Sequence, residues 1–457
     1  MKVKHVPRSR NNQRSNSGKR DIRPHNRTGS FISFFLEPGR SHVEVIHSPE
    51  EGLRFAIKKN GRIEYKKSFS GYQPLSWLTE YVAVGGVKLP SVAEPYGCFN
   101  DLATSARKFV HRYFDCPAHV EAVLVLYALH TWVKDKFHAV PYFRFLGIPG
   151  SGKTRGTETL AALCYRSTML AGNQSSASVY RMMDAVSGTL VLDEADFVLS
   201  QIGSDMAKIL NCGYQKNMPI TRMEKDSKGV FVPTPYDPFG PKVLNGRRKF
   251  RDCATETRCL VYIAQPTSRN EIPKQLPSAF EEEAIHIRNM ALQWRFDTLE
   301  KLQPREIRLP GKNPRSNQIL MPLVQIAEML TGNGLEEYRR ALNKFGEEME
   351  EQAKEEQMET VEAKLVAAYV ALVSVGQPIC IELVRRVLDK DNGHDPSLRN
   401  WLTPKTASTI LRSMGFETKH VNKGAEVSIT PNRLGPLCER FGIEVPFLEQ
   451  DQNDKAA

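Results

Sequence analysis

Leu146-Gly147-Ile148-Pro149-Gly150-Ser151-Gly152-Lys153-Thr154 follows an apolar run, Pro141-Tyr142-Phe143-Arg144-Phe145, and precedes a helix-forming stretch that reaches Leu163. The pattern GxxxxGK[ST] therefore sits between a strand and a helix, where its physics is useful. Gly147, Gly150 and Gly152 let the backbone curl so that N–H groups face phosphate oxygens. The helix N-terminus adds a favourable dipole. Lys153 is placed to reach the β- and γ-phosphates, and the Thr154 hydroxyl to ligate magnesium. Gly147, Ile148, Pro149, Gly150, Ser151, Gly152, Lys153, Thr154 and Arg155 are the expected nucleotide-binding set, with ATP and Mg2+ as cofactors. A tight glycine turn with a coincidental Lys-Thr is the competing reading, and the strand–loop–helix context argues against it.

Downstream, the continuous apolar run Thr189-Leu190-Val191-Leu192 reads as a central parallel strand ending in Asp193-Glu194. Asp193 is expected beside the magnesium, and Glu194 is expected to orient and deprotonate the attacking water. A pair of solvated acids at a strand end is the alternative. Residues 193–196 spell Asp-Glu-Ala-Asp, but no second RecA-like domain with an arginine-rich motif follows. Asp196 reads as a helix-start acid. Further strands are expected at Thr168–Ala171, Lys242–Leu244 and Cys259–Ile263, with helices between. This order predicts an α/β fold, a three-layer P-loop domain with a mostly parallel sheet.

Working outward, the chain has 457 residues and 63 Lys+Arg against 52 Asp+Glu, a net charge of +11. Residues 1–30 hold nine Lys and Arg against Asp21, so 9 − 1 = +8 of that charge lies in the tail. This excludes a uniformly basic coat protein. The tail is too poor in large apolar residues to repay ordering, so disorder is expected. It fits a basic arm on nucleic acid and a solvated tail about equally. The eight cysteines form no CxxC pair and no zinc-ligand spacing, so free thiols in a reducing compartment are expected. The run Val120 to Val133 is interrupted by Glu121 and His130, and no segment reads as a membrane span. A cytoplasmic protein with no membrane partner is expected.

Residues 31–96 alternate short apolar runs with turn signals, including Asn60-Gly61, and predict a small β-rich N-terminal region. Leu102, Ala106, Phe109, Val110 and Tyr113 share one helical face, Pro117 breaks the pattern, and a second helix is expected to Lys134. Residues 97–345 form the expected ATPase domain with its preceding helices and lid. Residues 346–360 are an acidic helical linker. Residues 361–447 show three helical patterns, the third capped by Thr403-Pro404, and then a hairpin. That is the winged-helix order. Residues 448–457 are expected to be a disordered tail.

The chain resembles the AAA+ ATPase of primase–helicase proteins found on prophages and other bacterial mobile elements, which is similar to the minichromosome-maintenance helicases. The resemblance covers roughly residues 96–270. It rests on the loop at 146–154, on Gly188 to Asp196, on Phe239-Gly240-Pro241-Lys242-Val243-Leu244 and on Glu256-Thr257-Arg258-Cys259-Leu260. It implies a ring-forming DNA helicase or translocase in replication of a mobile genetic element. An ATP-switched DNA-binding regulator or loader is the other reading. A ring implies a homo-hexamer, with single-stranded DNA in the pore, duplex at the winged helix, and a separate primase or replication proteins as partners. Asn245 matches sensor 1 and fits equally a turn-forming Asn before Gly246. Arg258 matches an arginine finger acting on the neighbouring subunit, against a surface salt bridge. Arg222, Lys225 and Lys228 lie around an expected hairpin that lines the pore in related helicases or is simply an exposed basic loop. Lys405, Thr409 and Arg412 on the third helix and Lys423 at the wing are the expected duplex contacts, against a winged helix that binds protein. Arg288 and Arg295 are alternative candidates for the second lid sensor, and the sequence selects neither. No primase centre is visible before residue 96.

Overall fold

The computed structural model describes residues 31–443 apart from 33, 38–40, 172–173, 196–200, 227, 251–252, 374–375, 377, 392–395 and 423. The expected tails, Asp196 and Lys423 lie outside the described residues. The chain divides into two compact units, Met1–Phe345 and Gly346–Ala457.

Five strands form the central sheet of the first unit, in the order Cys259–Ile263, Tyr142–Leu146, Lys242–Gly246, Leu190–Asp193 and Thr168–Ala171. Every pairing in it is parallel. Tyr142–Leu146 is buried along its whole length, and Arg144 is the one charged residue among its apolar side chains. Helices cover the sheet. Lys153–Leu163 packs on the Lys242–Gly246 and Leu190–Asp193 strands. On the face that Tyr142 presents, its hydroxyl donates to Leu210 O at 2.5 Å, at the end of helix Gln201–Cys212. Gly156 permits the close approach of helix to sheet. A Cβ there would lie 2.7 Å from Phe145 Cε1 and 2.8 Å from Phe114 Cζ.

The two helices ahead of the loop strand are Phe99–Tyr113 and Ala118–Trp132. The first buries Leu102, Ala106, Phe109, Val110 and Tyr113, as their spacing predicts. The second ends at Trp132 rather than Lys134, and a 3-10 turn takes Lys134–Lys136. It is apolar all round and buried all round, so Glu121 and His130 are interior groups.

Four antiparallel strands, Phe34–Glu37, Ser41–Ser48, Gly52–Lys59 and Arg62–Lys66, form the N-terminal sheet. Its turn carries positive φ at Asn60 and Gly61, the conformation that Asn-Gly favours. This sheet is bolted to the helices of the same unit by a buried ionic cluster. Glu44 Oε1 accepts from Arg295 Nε at 2.6 Å and meets His42 Nε2 at 2.9 Å. Its Oε2 accepts from Tyr165 Oη at 2.8 Å and from Arg166. Burial pushes the Glu44 carboxyl up, but the Arg295 and Arg166 guanidiniums outweigh it and hold the group well below the usual carboxylate range.

The second unit contains helices Val361–Val373, Cys380–Asp391, Pro396–Trp401 and Pro404–Ser413, the hairpin Glu417–Val421 with Gly424–Ser428, and a closing helix Pro431–Phe441. Thr403 caps its helix by accepting from Thr406 N at 3.2 Å, with Pro404 at the first position. Leu365, Val366, Leu383, Ala407, Leu411 and Val427 form its core. The short Pro396–Trp401 helix and the closing helix were not expected from the sequence. The closing helix had a readable signal: Thr430-Pro431 at its start, then Leu434, Cys438 and Phe441 on one buried face.

Two stability predictions follow from the buried charges. Glu44→Ala removes the buried carboxylate that Arg166, Arg295, Tyr165 and His42 share and should cost about 3–5 kcal/mol in urea unfolding, whereas the exposed Glu64→Ala should change little. Burial lowers the His130 pKa to about 4 from an ordinary 6.5. The unfolded chain therefore binds this proton first. Stability is complete above about pH 6.5 and falls towards pH 4, by up to about 3 kcal/mol for this group. His130→Gln should flatten that part of the stability–pH curve.

Candidate nucleotide site

The phosphate loop leaves the C-terminal end of strand Tyr142–Leu146 and enters helix Lys153–Leu163. Gly150 and Gly152 take φ of +81° and +87°, which explains the residue type at both positions. Gly147 is needed for space. A Cβ there would meet Ser151 Oγ at 2.5 Å and Ala264 O at 2.9 Å. Lys153 Nζ folds back to donate to Ile148 O at 2.8 Å, and Thr154 is exposed. Ser151 Oγ is buried with no hydrogen-bond partner among the described residues. A cradle shaped by glycine, a lysine resting on a loop carbonyl and an unsatisfied hydroxyl fit a bound polyphosphate with its divalent cation. Arg155 has another employment. Its guanidinium donates to Pro273 O at 2.8 Å and Lys274 O at 3.0 Å, tying the helix to the segment after the last strand.

The sheet order puts strand Lys242–Gly246 between the loop strand and the strand that ends in Asp193. Asn245 consequently lies between them, 2% exposed. Its Nδ2 donates to Asp193 Oδ1 at 2.5 Å and lies 3.2 Å from Thr157 Oγ1. Its Oδ1 accepts from Glu194 N at 2.8 Å, and its backbone carbonyl accepts from Ala195 N at 2.8 Å. Thr157 in turn donates to Lys153 O at 2.9 Å. One amide thus ties the loop helix to the acid pair. Asn245 makes these bonds from within strand Lys242–Gly246. Glu194 is exposed and held at φ +55° by bonds from its N–H to both Asn245 and Asp193. Sequence reasoning missed Thr157, and also Glu158, whose carboxyl is raised by burial with the Asp193 charge adding. Their one available signal was adjacency to the loop.

Arg258 lies at the other end of the sheet. Its carbonyl accepts from Tyr142 N at 3.0 Å, at the start of the loop strand. A five-residue strand, roughly 16 Å, separates it from its own phosphate loop. Its guanidinium donates to Asn211 Oδ1 at 2.7 Å and to Ala254 O. Arg288 and Arg295, the two lid-sensor candidates, are both buried in internal bonds. Arg288 holds Leu89 O, Ala162 O and Glu281, and Arg295 holds Glu44, Trp132 O and Asp135.

The expected hairpin is Ile220–Lys225 with Phe231–Tyr236, closed by Asp226, whose carboxylate accepts from Lys228 N and Val230 N. Strand alternation separates the basic residues. Lys225 and Lys228 face out, while Arg222 lies half-buried over the Tyr180 ring at 5.2 Å. Met223, Val230 and Phe231 are exposed beside the lysines and were not singled out in the sequence. In the second unit, Lys405, Thr409 and Arg412 are exposed at helical spacing on one face.

No protein-family model matches the chain. No curated protein matches it. Among solved structures, the A form apo structure of the NrS-1 C-terminal region is 12% identical, with 85% of this chain and 96% of that chain covered at a TM-score of 0.34. The JCV helicase is 13% identical, with 55% of this chain and 61% of that chain covered at a TM-score of 0.25. These likenesses are distant.

Asn245→Ala should cut the turnover of nucleoside triphosphate by about 100-fold while leaving nucleotide affinity within a few-fold. Single-turnover hydrolysis and equilibrium binding measured side by side check this. Unchanged turnover would reduce Asn245 to a structural amide.

Proposed function

We propose that the chain is an ATP-hydrolysing DNA helicase or translocase of the AAA+ type, working as a homo-hexameric ring in replication of a mobile genetic element. The observation that carries the hydrolytic half is the Asn245 amide, which joins the loop helix to Asp193 and Glu194 in one cluster. Lys153 would leave Ile148 O for the phosphates. Thr154 and Asp193 would hold magnesium, which neutralises phosphate charge when bound. Glu194, exposed next to them, would orient and deprotonate the attacking water.

The motor half rests on charge and exposure. Arg258, too far from its own loop, would enter the neighbouring subunit's site and stabilise transition-state charge. Lys225 and Lys228 with exposed Met223 and Phe231 suit a single strand, the cations on phosphate and the apolar surfaces under bases. The second unit would act as a winged helix, with Lys405, Thr409 and Arg412 in a duplex groove and Lys423 on the backbone. The protein would work in the cytoplasm beside a separate primase or other replication proteins.

A second reading is an ATP-switched DNA-binding regulator or loader that does not unwind. The hold that Asn211 and Ala254 keep on Arg258 favours it, because a finger engaged at home does not serve a neighbour.

Steady-state ATP hydrolysis with and without single-stranded DNA separates the two. The motor predicts strong DNA stimulation, lost in Lys153→Ala and in Arg258→Ala. Activity lost only in Lys153→Ala, with no response to DNA, leaves the switch.

A further inference from the structure

Arg144 sits in the middle of the loop strand, wholly buried, two residues from the end of that strand and three before Gly147. Burying a guanidinium inside a parallel sheet is costly, and a well-packed apolar pair in its place is often neutral or stabilising. Stability alone therefore gives no reason for it. Its contacts do. Arg144 Nη1 donates to Glu256 Oε2 at 2.5 Å, Nη2 donates to Arg248 O, and the guanidinium lies 3.5 Å from the Phe250 ring centroid. Phe250 N donates to the same Glu256 oxygen at 2.9 Å.

These partners all belong to one stretch. It starts at Asn245, at the nucleotide end of the sheet, and ends at Arg258, at the far end. Glu256 closes the short helix Cys253–Glu256, and Arg258 N bonds back to Thr255 O at 3.1 Å. Arg144 grips this stretch near its middle from the strand that feeds the phosphate loop. A planar fork with two donors and a stacking face is suited to that task, and a lysine is not.

We propose that Arg144 is a positioning residue for hydrolysis: with Glu256 it holds Arg248, Phe250 and the end of the Cys253–Glu256 helix against the loop strand, between Asn245 and Arg258 in the chain, so that those two residues are kept in register. The inference rests on the proposed ATPase reading. Loss of the pair should lower kcat and leave nucleotide binding alone, because neither residue belongs to the phosphate cradle.

The test uses the full chain. Arg144→Met with Glu256→Leu removes both charges together, so neither charge is left buried without the other. The double variant should bind ATP within about threefold of the parent while kcat falls roughly 10–100-fold. Arg144→Lys, which keeps the charge without the fork, should also lose kcat. Glu256→Gln, which keeps the shape, serves where the double variant does not fold, and it should lose kcat with binding intact. Parental kcat in the folded double variant, or in Glu256→Gln, overturns the proposal. A parent chain that does not hydrolyse ATP at all overturns the ATPase reading instead.

Discussion

The Asn245 side chain holds together groups that the sequence keeps far apart. Thr157 lies 88 residues before it, and Asp193 lies 52 before it. A phosphate cradle and a carboxylate pair are each common features. Chemistry requires them within a few ångströms of one another, and the strand order achieves that by inserting Lys242–Gly246 between the two strands that carry them. Because the strands are parallel, all three functional ends emerge at one edge of the sheet. Gly156, allowing the helix to touch Phe145 and Phe114, keeps Thr157 close enough to join.

Around this edge the molecule uses buried charge for alignment. Glu44 with Arg166 and Arg295 anchors the N-terminal sheet on the helices beneath it. Arg144 with Glu256 anchors the stretch after Asn245. Lys242, buried at the start of strand Lys242–Gly246, gives its three donors to Gly213, Pro238 and Gly240 carbonyls, and burial pulls its pKa well down. Such groups contribute little net stability when satisfied but penalise any other arrangement heavily. Ile148, Gly150, Gly152, Thr154 and Glu194, by contrast, are exposed.

What could be read in the sequence was whatever is local. The loop, the strand ending in Asp193 and Glu194, and the helix faces of Phe99–Tyr113 follow from period and spacing, and the structure contains each of them. The Asn60-Gly61 turn and the Thr403-Pro404 cap were legible for the same reason. Long-range pairing was not. Nothing in the run around Arg144 signals that its partner is Glu256, because the pair is separated by 112 positions. Arg288 and Arg295 are both lid-sensor candidates by sequence because a sequence does not display the carbonyls and carboxylates that occupy them. Arg222, Lys225 and Lys228 looked equivalent until the hairpin register put the first on the other face.

The central claim is that the loop and the acid pair form one nucleotide site with Asn245 at its centre. A structure of the chain with Mg2+ and a non-hydrolysable ATP analogue tests it most directly. The account predicts phosphates on the amides of 150–154, Lys153 moved from Ile148 O to phosphate, and the cation beside Thr154 and Asp193. An analogue bound elsewhere, with Lys153 still on Ile148 O, would contradict it.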